Sequence, residues 1–150
     1  MTADREAHLQ LVEVSPFDLD ELVAASRALY RDEGVVPPPA LKLRVDLHER
    51  LQRGQARALL FRCGTDAPPL AFALLSRRGR RAHIEQFRVE PGLRRSGWGR
   101  RCVLALLDGP LADAEQVCVR VLEDNEPARA FWAALGFGAG RLALEVHPRP

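Results

Sequence analysis

The sequence predicts a mixed α/β (α+β) fold in which helices pack on a largely antiparallel sheet. Two observations point there. Several short apolar segments joined by turns run together between Ala56 and Val89, the mark of neighbouring antiparallel strands. Beyond Val89, apolar strand-like runs alternate with segments of helical period, which adds a crossover region to the same sheet. With no internal repeat and no linker long enough to divide 150 residues, a single domain over residues 1–150 is expected. The predicted order is β-α-α-β-β-β-α-β-α-β.

The elements follow from local chemistry. His8 to Val14 reads as a first strand. Ser15-Pro16-Phe17-Asp18 reads as a helix start, with Ser15 as cap, Pro16 in the first turn and Asp18 completing a capping box. Leu19, Leu22, Val23, Ser26, Leu29 and Tyr30 continue it at helical spacing toward Gly34, and Pro37 to Pro39 forbid extension. A second helix is predicted from Ala40 to Gln52, closed by Gly54. Strands follow at Ala56–Cys63, Leu70–Ser76 and Ala82–Val89, separated by a turn at Gly64–Pro69 and a basic turn at Arg77–Arg81. Strict alternation would put His83, Glu85, Phe87 and Val89 on one face. Later come a helix from Gly97 to Leu107, a strand Gln116–Leu122, a helix Asn125–Leu135 closed by Gly136, and a strand Arg141–His147.

Composition narrows the function. Apolar residues make up 47% and charged residues 28%, a globular balance. No apolar run approaches the roughly 20 residues of a membrane span, and Met1 to Gln10 holds no apolar signal core, so no membrane association and a cytoplasmic location are expected. Cys63, Cys102 and Cys118 are odd in number and widely spaced. They suit small buried side chains rather than disulfides or a zinc site, so no metal is expected. Lys42 is the sole lysine among 22 basic residues, an arginine bias that fits a GC-rich bacterial genome and supplies planar forks suited to phosphate. The arginines of the basic turn and of Arg94 to Arg101 raise a nucleic-acid-binding reading. A net charge of only +2 and the scarcity of interleaved aromatics disfavour it.

The most informative stretch runs from Val89 through Glu90-Pro91-Gly92-Leu93-Arg94-Arg95-Ser96-Gly97-Trp98-Gly99-Arg100 to Arg101. A strand enters a glycine-bearing loop that opens a helix, whose first turn offers unpaired N–H groups and partial positive charge. Glycines there let a ligand oxygen approach, and the arginines add charge, so the stretch reads as a polyphosphate site. It is not a P-loop. Gly92 and Gly97 have the spacing, but Trp98 and Gly99 replace the Lys and hydroxyl. Nor is it a dinucleotide fingerprint, since Cys102 stands at the third glycine.

Arg94, Gly97 and Gly99 instead resemble the R/Q-x-x-G-x-G/A signature of GCN5-related N-acetyltransferases (GNAT). Asn125, Ala128, Phe131, Trp132, Gly136 and Phe137 resemble that family's second motif, in the expected order with a strand between. The resemblance covers Ala82 to Phe137 closely and the first half by element order alone. It implies an acetyl-CoA-dependent acyltransferase whose pantetheine arm lies where the strand before the loop splays from the next one. Backbone groups of Phe87 and Val89 would bond that arm. Backbone N–H groups from Arg94 through Arg95, Ser96, Gly97 and Trp98 to Gly99, with the Arg95 and Arg100 side chains, would hold the pyrophosphate. Asn125 would contact the cofactor, although it is also a good helix cap in any protein.

The resemblance implies transfer of the acetyl group to a primary amine, on a small molecule or a protein, in a ternary complex. A backbone N–H of Phe87 or Val89 would serve the developing oxyanion. Glu85, two residues before Phe87, is the candidate base, its pKa expected to rise on partial burial. The other reading of Glu85 is a strand-face carboxylate paired with an arginine, and His83 is in reserve. Trp132 stands where relatives carry an acidic tyrosine. An indole cannot donate a proton at usable cost, but a thiolate with a pKa of about 8.5 can leave with little help. Trp132 also motivates an alternative, a noncatalytic acyl-CoA-binding sensor. Asp32, Glu33, Asp46 and Glu49 either attract an amine or form a solvated face. A homodimer is a family-level expectation.

Overall fold

The computed structural model describes residues 9–64 and 67–150. His8, at the start of the expected first strand, and Thr65 and Asp66, in the expected turn, lie outside the described residues. The elements are β1 (Leu9–Glu13), α1 (Asp20–Asp32), α2 (Ala40–Gln52), β2 (Arg57–Cys63), β3 (Ala71–Arg78), β4 (Arg81–Val89), α3 (Trp98–Asp108), β5 (Gln116–Leu122), α4 (Glu126–Ala134) and β6 (Leu142–His147). A single 3₁₀ turn, Pro91–Leu93, links β4 to α3. The expected order of strands and helices is the observed one.

The strands form one sheet in sequence order. β1 pairs antiparallel with β2 across the two helices α1 and α2, β2–β3 and β3–β4 pair antiparallel through short turns, and β4–β5 and β5–β6 pair parallel across the helical crossovers α3 and α4. Alternation divides the strand side chains between two apolar layers. Leu59, Phe61, Ala73, Leu75, Ile84, Val117 and Val119 pack with Val103, Leu106 and Trp132 of α3 and α4. Ala58, Leu60, Phe72 and Leu74 pack with Leu22, Val23, Leu43 and Leu47 of α1 and α2.

Two local expectations are corrected. The first helix starts at Asp20, not at Ser15. The Ser15 hydroxyl accepts from the Phe17 N–H at 3.2 Å and its carbonyl from the Asp18 N–H at 3.1 Å, so the segment closes a separate turn. Asp20 and Glu21 then supply acids to the helix's first turn. The second correction concerns β4. Its register with β3 shifts by one, from Leu74↔Gln86 to Leu75↔Ile84, leaving Glu85 as the extra residue of a β-bulge. A bulge resets alternation. Ala82 and Ile84 below it and Phe87 and Val89 above it therefore all face α3 and α4. Glu85 and Gln86 turn to the other face, where Arg50 of α2 and Ser26 of α1 donate to them. Glu85 and Phe87 do not share a face.

Candidate functional site

β4 and β5 pair only from Arg81↔Gln116 to Ile84↔Val119. Beyond that, β4 continues to Val89 beside β3, and β5 continues to Leu122 beside β6. The strands diverge where the Glu85 bulge bends β4, and among the described residues the β4 edge above Ile84 has no strand partner on the β5 side. A cleft of ≈ 760 Å³ opens there, bounded by Phe87 and Val89, the Gly97–Arg100 turn, Asn125 and the end of α1. Its floor is aromatic. Phe87 stacks on Phe131 with centroids 6.1 Å apart, and Trp132 meets both rings edge-on at 5.6 and 5.0 Å. Such a surface suits an apolar arm rather than a metal-nucleotide.

The loop at the cleft mouth is shaped by its backbone. Gly97 sits at φ +84° as the residue before α3, a conformation that L side chains resist, and Arg95 at φ +63° bears that strain with a side chain. The first intrahelical bond runs from the Arg101 N–H to the Gly97 carbonyl at 3.1 Å, so the helix leaves the Trp98, Gly99 and Arg100 N–H groups for another acceptor. Arg95 and Arg100 line the cleft, exposed, with no hydrogen-bond or ion-pair partner among the described residues. The two glycines expected to bare the backbone play different parts, and only that of Gly99 departs from expectation. A Cβ on Gly97 would meet open space, leaving room for a ligand. A Cβ on Gly99 would lie 3.0 Å from the Phe131 ring, so Gly99 is small because Phe131 packs on it.

The rest of the loop is anchored. Arg94 donates from Nε to the Val89 carbonyl at 2.9 Å and from Nη2 to Asp32 at 2.7 Å. Asp32 also accepts from Nε of Arg88 at 2.8 Å. The Ser96 hydroxyl turns back to the Leu93 carbonyl at 2.6 Å. Burial alone would push Asp32 up, but the hydrogen bonds and charges of Arg88 and Arg94 outweigh it and hold the carboxyl below its ordinary value. Arg94 is thus a tie between the end of β4 and α1, and part of the Val89 carbonyl is already used. Arg88 and Arg149 belong to this framework and were not legible in the sequence. Their signal is an ion pair spanning 56 residues in one case and 25 in the other.

The profile of the Acetyltransferase (GNAT) family matches residues 22–137. The chain belongs to the GNAT acetyltransferase family. Solved structures share its fold. An acetyltransferase from Thermus thermophilus is 22% identical, with TM-score 0.72 and 86% of each chain covered. The aminoglycoside N-acetyltransferase AAC(6')-Iy in complex with CoA is 17% identical at TM-score 0.69, over 89% of this chain and 90% of that one. The PaiA N-acetyltransferase from Thermoplasma acidophilum in complex with coenzyme A is 14% identical at TM-score 0.63, over 84% and 87%. Comparison with curated proteins by sequence finds no match.

In this GNAT chain, most residues expected at the site do converge. Phe87, Val89, Arg94, Arg95, Gly97, Gly99, Arg100, Asn125 and Trp132 all line the cleft. Ser96 lies in the same loop with its hydroxyl committed, and Trp98 carries Arg101 over its ring at 4.3 Å. Asn125 caps α4, its Oδ1 accepting from the Ala128 N–H at 3.2 Å. Trp132 is 5% exposed and packs in the aromatic floor.

Glu85 departs from the expected base role and fits the other reading, a strand-face carboxylate paired with an arginine. It does not line the cleft. Arg50 grips both of its oxygens, at 3.0 and 2.5 Å. Burial favours a raised pKa, as expected, but the Arg50 and Ser76 hydrogen bonds and the Arg50 and His83 charges prevail and hold it below the ordinary range. The bulge explains both facts, because it swings the carboxylate toward α2. His83 lies instead with Cys118 and Glu145 on β4, β5 and β6, ligand-type atoms within 4.8 Å of one another. A cation already sits there, since Arg81 donates to Cys118 Sγ at 3.2 Å and to Glu145 at 2.9 Å. Two more arginines of the basic turn are also occupied. Arg77 pairs with Asp113 and Arg80 with Glu115. Among the described residues no helix is long and apolar enough to cross a membrane.

Proposed function

We propose that the chain is an N-acetyltransferase that takes acetyl-CoA in the β4/β5 cleft and transfers its acetyl group to a primary amine. The observation that carries this is the divergence of β4 from β5 beside an open helix N-terminus. Among the described residues it sets an unpaired strand edge, free N–H groups and two unpartnered guanidiniums along one groove. The donor set fits the coenzyme. Arg95, Arg100 and the N–H groups of Trp98 and Gly99 suit a diphosphate. The edge of β4 at Phe87 suits the amides of the pantetheine arm, and the aromatic floor suits its methylenes. Bound acetyl-CoA supplies the activated acetyl group and a leaving thiolate.

The protein's share is positioning and electrostatics. A β4 N–H is the candidate donor to the developing oxyanion, held by the sheet at no reorganisation cost. Asn125 orders the start of α4 at the opposite wall. The acceptor enters from the end of α1, where Asp32 and Glu33 line the cleft. This supports an amine acceptor, as for the similarly folded aminoglycoside acetyltransferases. Trp132 favours one other reading, since a buried indole cannot give up its N–H proton at usable cost and a sensor that binds acyl-CoA without turnover would need no proton donor.

Calorimetry with acetyl-CoA, followed by a coupled thiol-release assay on sisomicin, spermidine and an alanine-initiated peptide, decides between them. Binding with amine-dependent thiol release is expected. Binding without release from any amine leaves the sensor reading, and no heat of binding ends both.

A further inference from the structure

We propose that Glu33 is the catalytic base, accepting the proton that the acceptor amine loses when it is acetylated. The assignment rests on the N-acetyltransferase reading and names the residue that performs its proton transfer. Two carboxylates line the cleft, Asp32 and Glu33. Asp32 is held by Arg88 and Arg94, and a carboxylate so held has little proton affinity left. Glu33 has no hydrogen-bond or ion-pair partner for its carboxylate among the described residues.

Its backbone, in contrast, is fixed on both sides. The Glu33 N–H donates to the Leu29 carbonyl at 3.0 Å, and its own carbonyl accepts from Nη1 of Arg149 at 2.7 Å. Arg149 in turn holds Asp124, beside Asn125, through both carboxylate oxygens at 2.7 and 3.0 Å. One guanidinium thus ties the acceptor end of the cleft to the start of α4. A pinned main chain carrying an uncommitted acid is the arrangement a base needs.

The surrounding charges set its proton affinity. Burial pushes the Glu33 carboxyl above its ordinary value, Arg149 opposes this, and Asp32 on the same helix adds to it. Position at the negative C-terminal end of α1 acts in the same direction as burial. The other charges around the cleft are compensated or assigned elsewhere. Arg88 of β4 and Arg94 of the loop pair with Asp32, Arg149 pairs with Asp124, and Arg95 and Arg100 lie where the diphosphate binds.

The step balances. The amine nitrogen forms a bond to the thioester carbonyl carbon, its proton passes to Glu33, and the C–S bond breaks with the electron pair leaving on sulfur. The proton then moves through solvent to the thiolate. Amide and free CoA thiol leave, and Glu33 is regenerated.

Glu33→Gln tests this with the same amine panel. The amine's own ionisation is common to both proteins, so the ratio of wild-type to E33Q rates isolates Glu33. That ratio should be about 10²–10⁴ on the alkaline side and fall roughly tenfold per pH unit below the Glu33 pKa. Acetyl-CoA affinity should stay within about twofold, and Glu33→Asp should recover part of the rate. Folding stability should not drop, because a group with a raised folded-state pKa opposes folding once it is ionised at neutral pH. An E33Q rate within a few-fold of wild type, or a ratio independent of pH, overturns the base role and leaves the acetyltransferase reading intact. Loss of coenzyme affinity and stability together would also overturn it, in favour of a structural role. A wild-type protein that binds acetyl-CoA but turns over no amine removes the acetyltransferase reading and the base with it.

Discussion

Gly99 and Glu85 show how single residues set this site. Gly99 is the contact at which α3 meets α4, and a methyl there would press on the Phe131 ring that stacks over Phe87. Gly99→Ala should cost about 1–3 kcal/mol by overpacking. It should appear in urea unfolding as a lower midpoint at unchanged slope, with weaker acetyl-CoA binding as the cleft wall shifts. Glu85 works through Arg50. Its folded-state pKa lies below the ordinary glutamate value of 4.5. The stabilisation it contributes is therefore fully present above that value and is lost as pH falls through the lower folded-state value. Glu85→Gln should be less stable than wild type at neutral pH, with the gap closing on acidification. Its turnover should persist, as Glu85 is outside the cleft. Thermal melts across an acid series check the first expectation and initial rates the second.

At the scale of elements, the end of α1 is tied to the end of β4 and to the coenzyme loop by one carboxylate. Arg88, its side chain 9% exposed, and Arg94 both converge on Asp32. Asp32→Ala would leave Arg88 with Glu90 alone. Loss of a partner for a mostly buried charge should cost about 1–3 kcal/mol. The released loop should lower acetyl-CoA affinity more than it lowers the rate at saturating coenzyme, because Arg94 orders the loop without touching the thioester. Denaturant titration and a KM-against-kcat comparison separate the two effects. The bulge is the other element-scale device. It bends β4 where β5 leaves it, and in the same residue turns Glu85 away and brings Phe87 in.

Over the whole molecule, the cleft lies where helices from both faces of the sheet meet: α1 on one side, α3 and α4 on the other. A ligand seated there braces both layers. Acetyl-CoA at about 100 times its Kd should add roughly 2.7 kcal/mol of stability. That corresponds to a rise in Tm of several degrees, read by scanning fluorimetry. Added salt should reduce the gain, since Arg95 and Arg100 make the diphosphate contact largely electrostatic.

The order of elements, the glycine-bearing loop and the aromatic motif were readable from residue types and spacing. These are local properties. A positive φ at Gly97, a cap at Asn125 and an apolar stripe through Phe131 and Trp132 each depend on residues a few positions apart. The site's carboxylates were not readable in the same way. Alternation placed Glu85 beside Phe87, and only the pairing of β4 with β3 revealed the extra residue that separates them. Asp32 and Glu33 are adjacent in sequence and chemically alike. One is neutralised by arginines 56 and 62 positions away, and the other keeps its proton affinity beside Arg149, 116 positions on. Charge compensation acts through space, so which acid is spent and which is free was settled by folding.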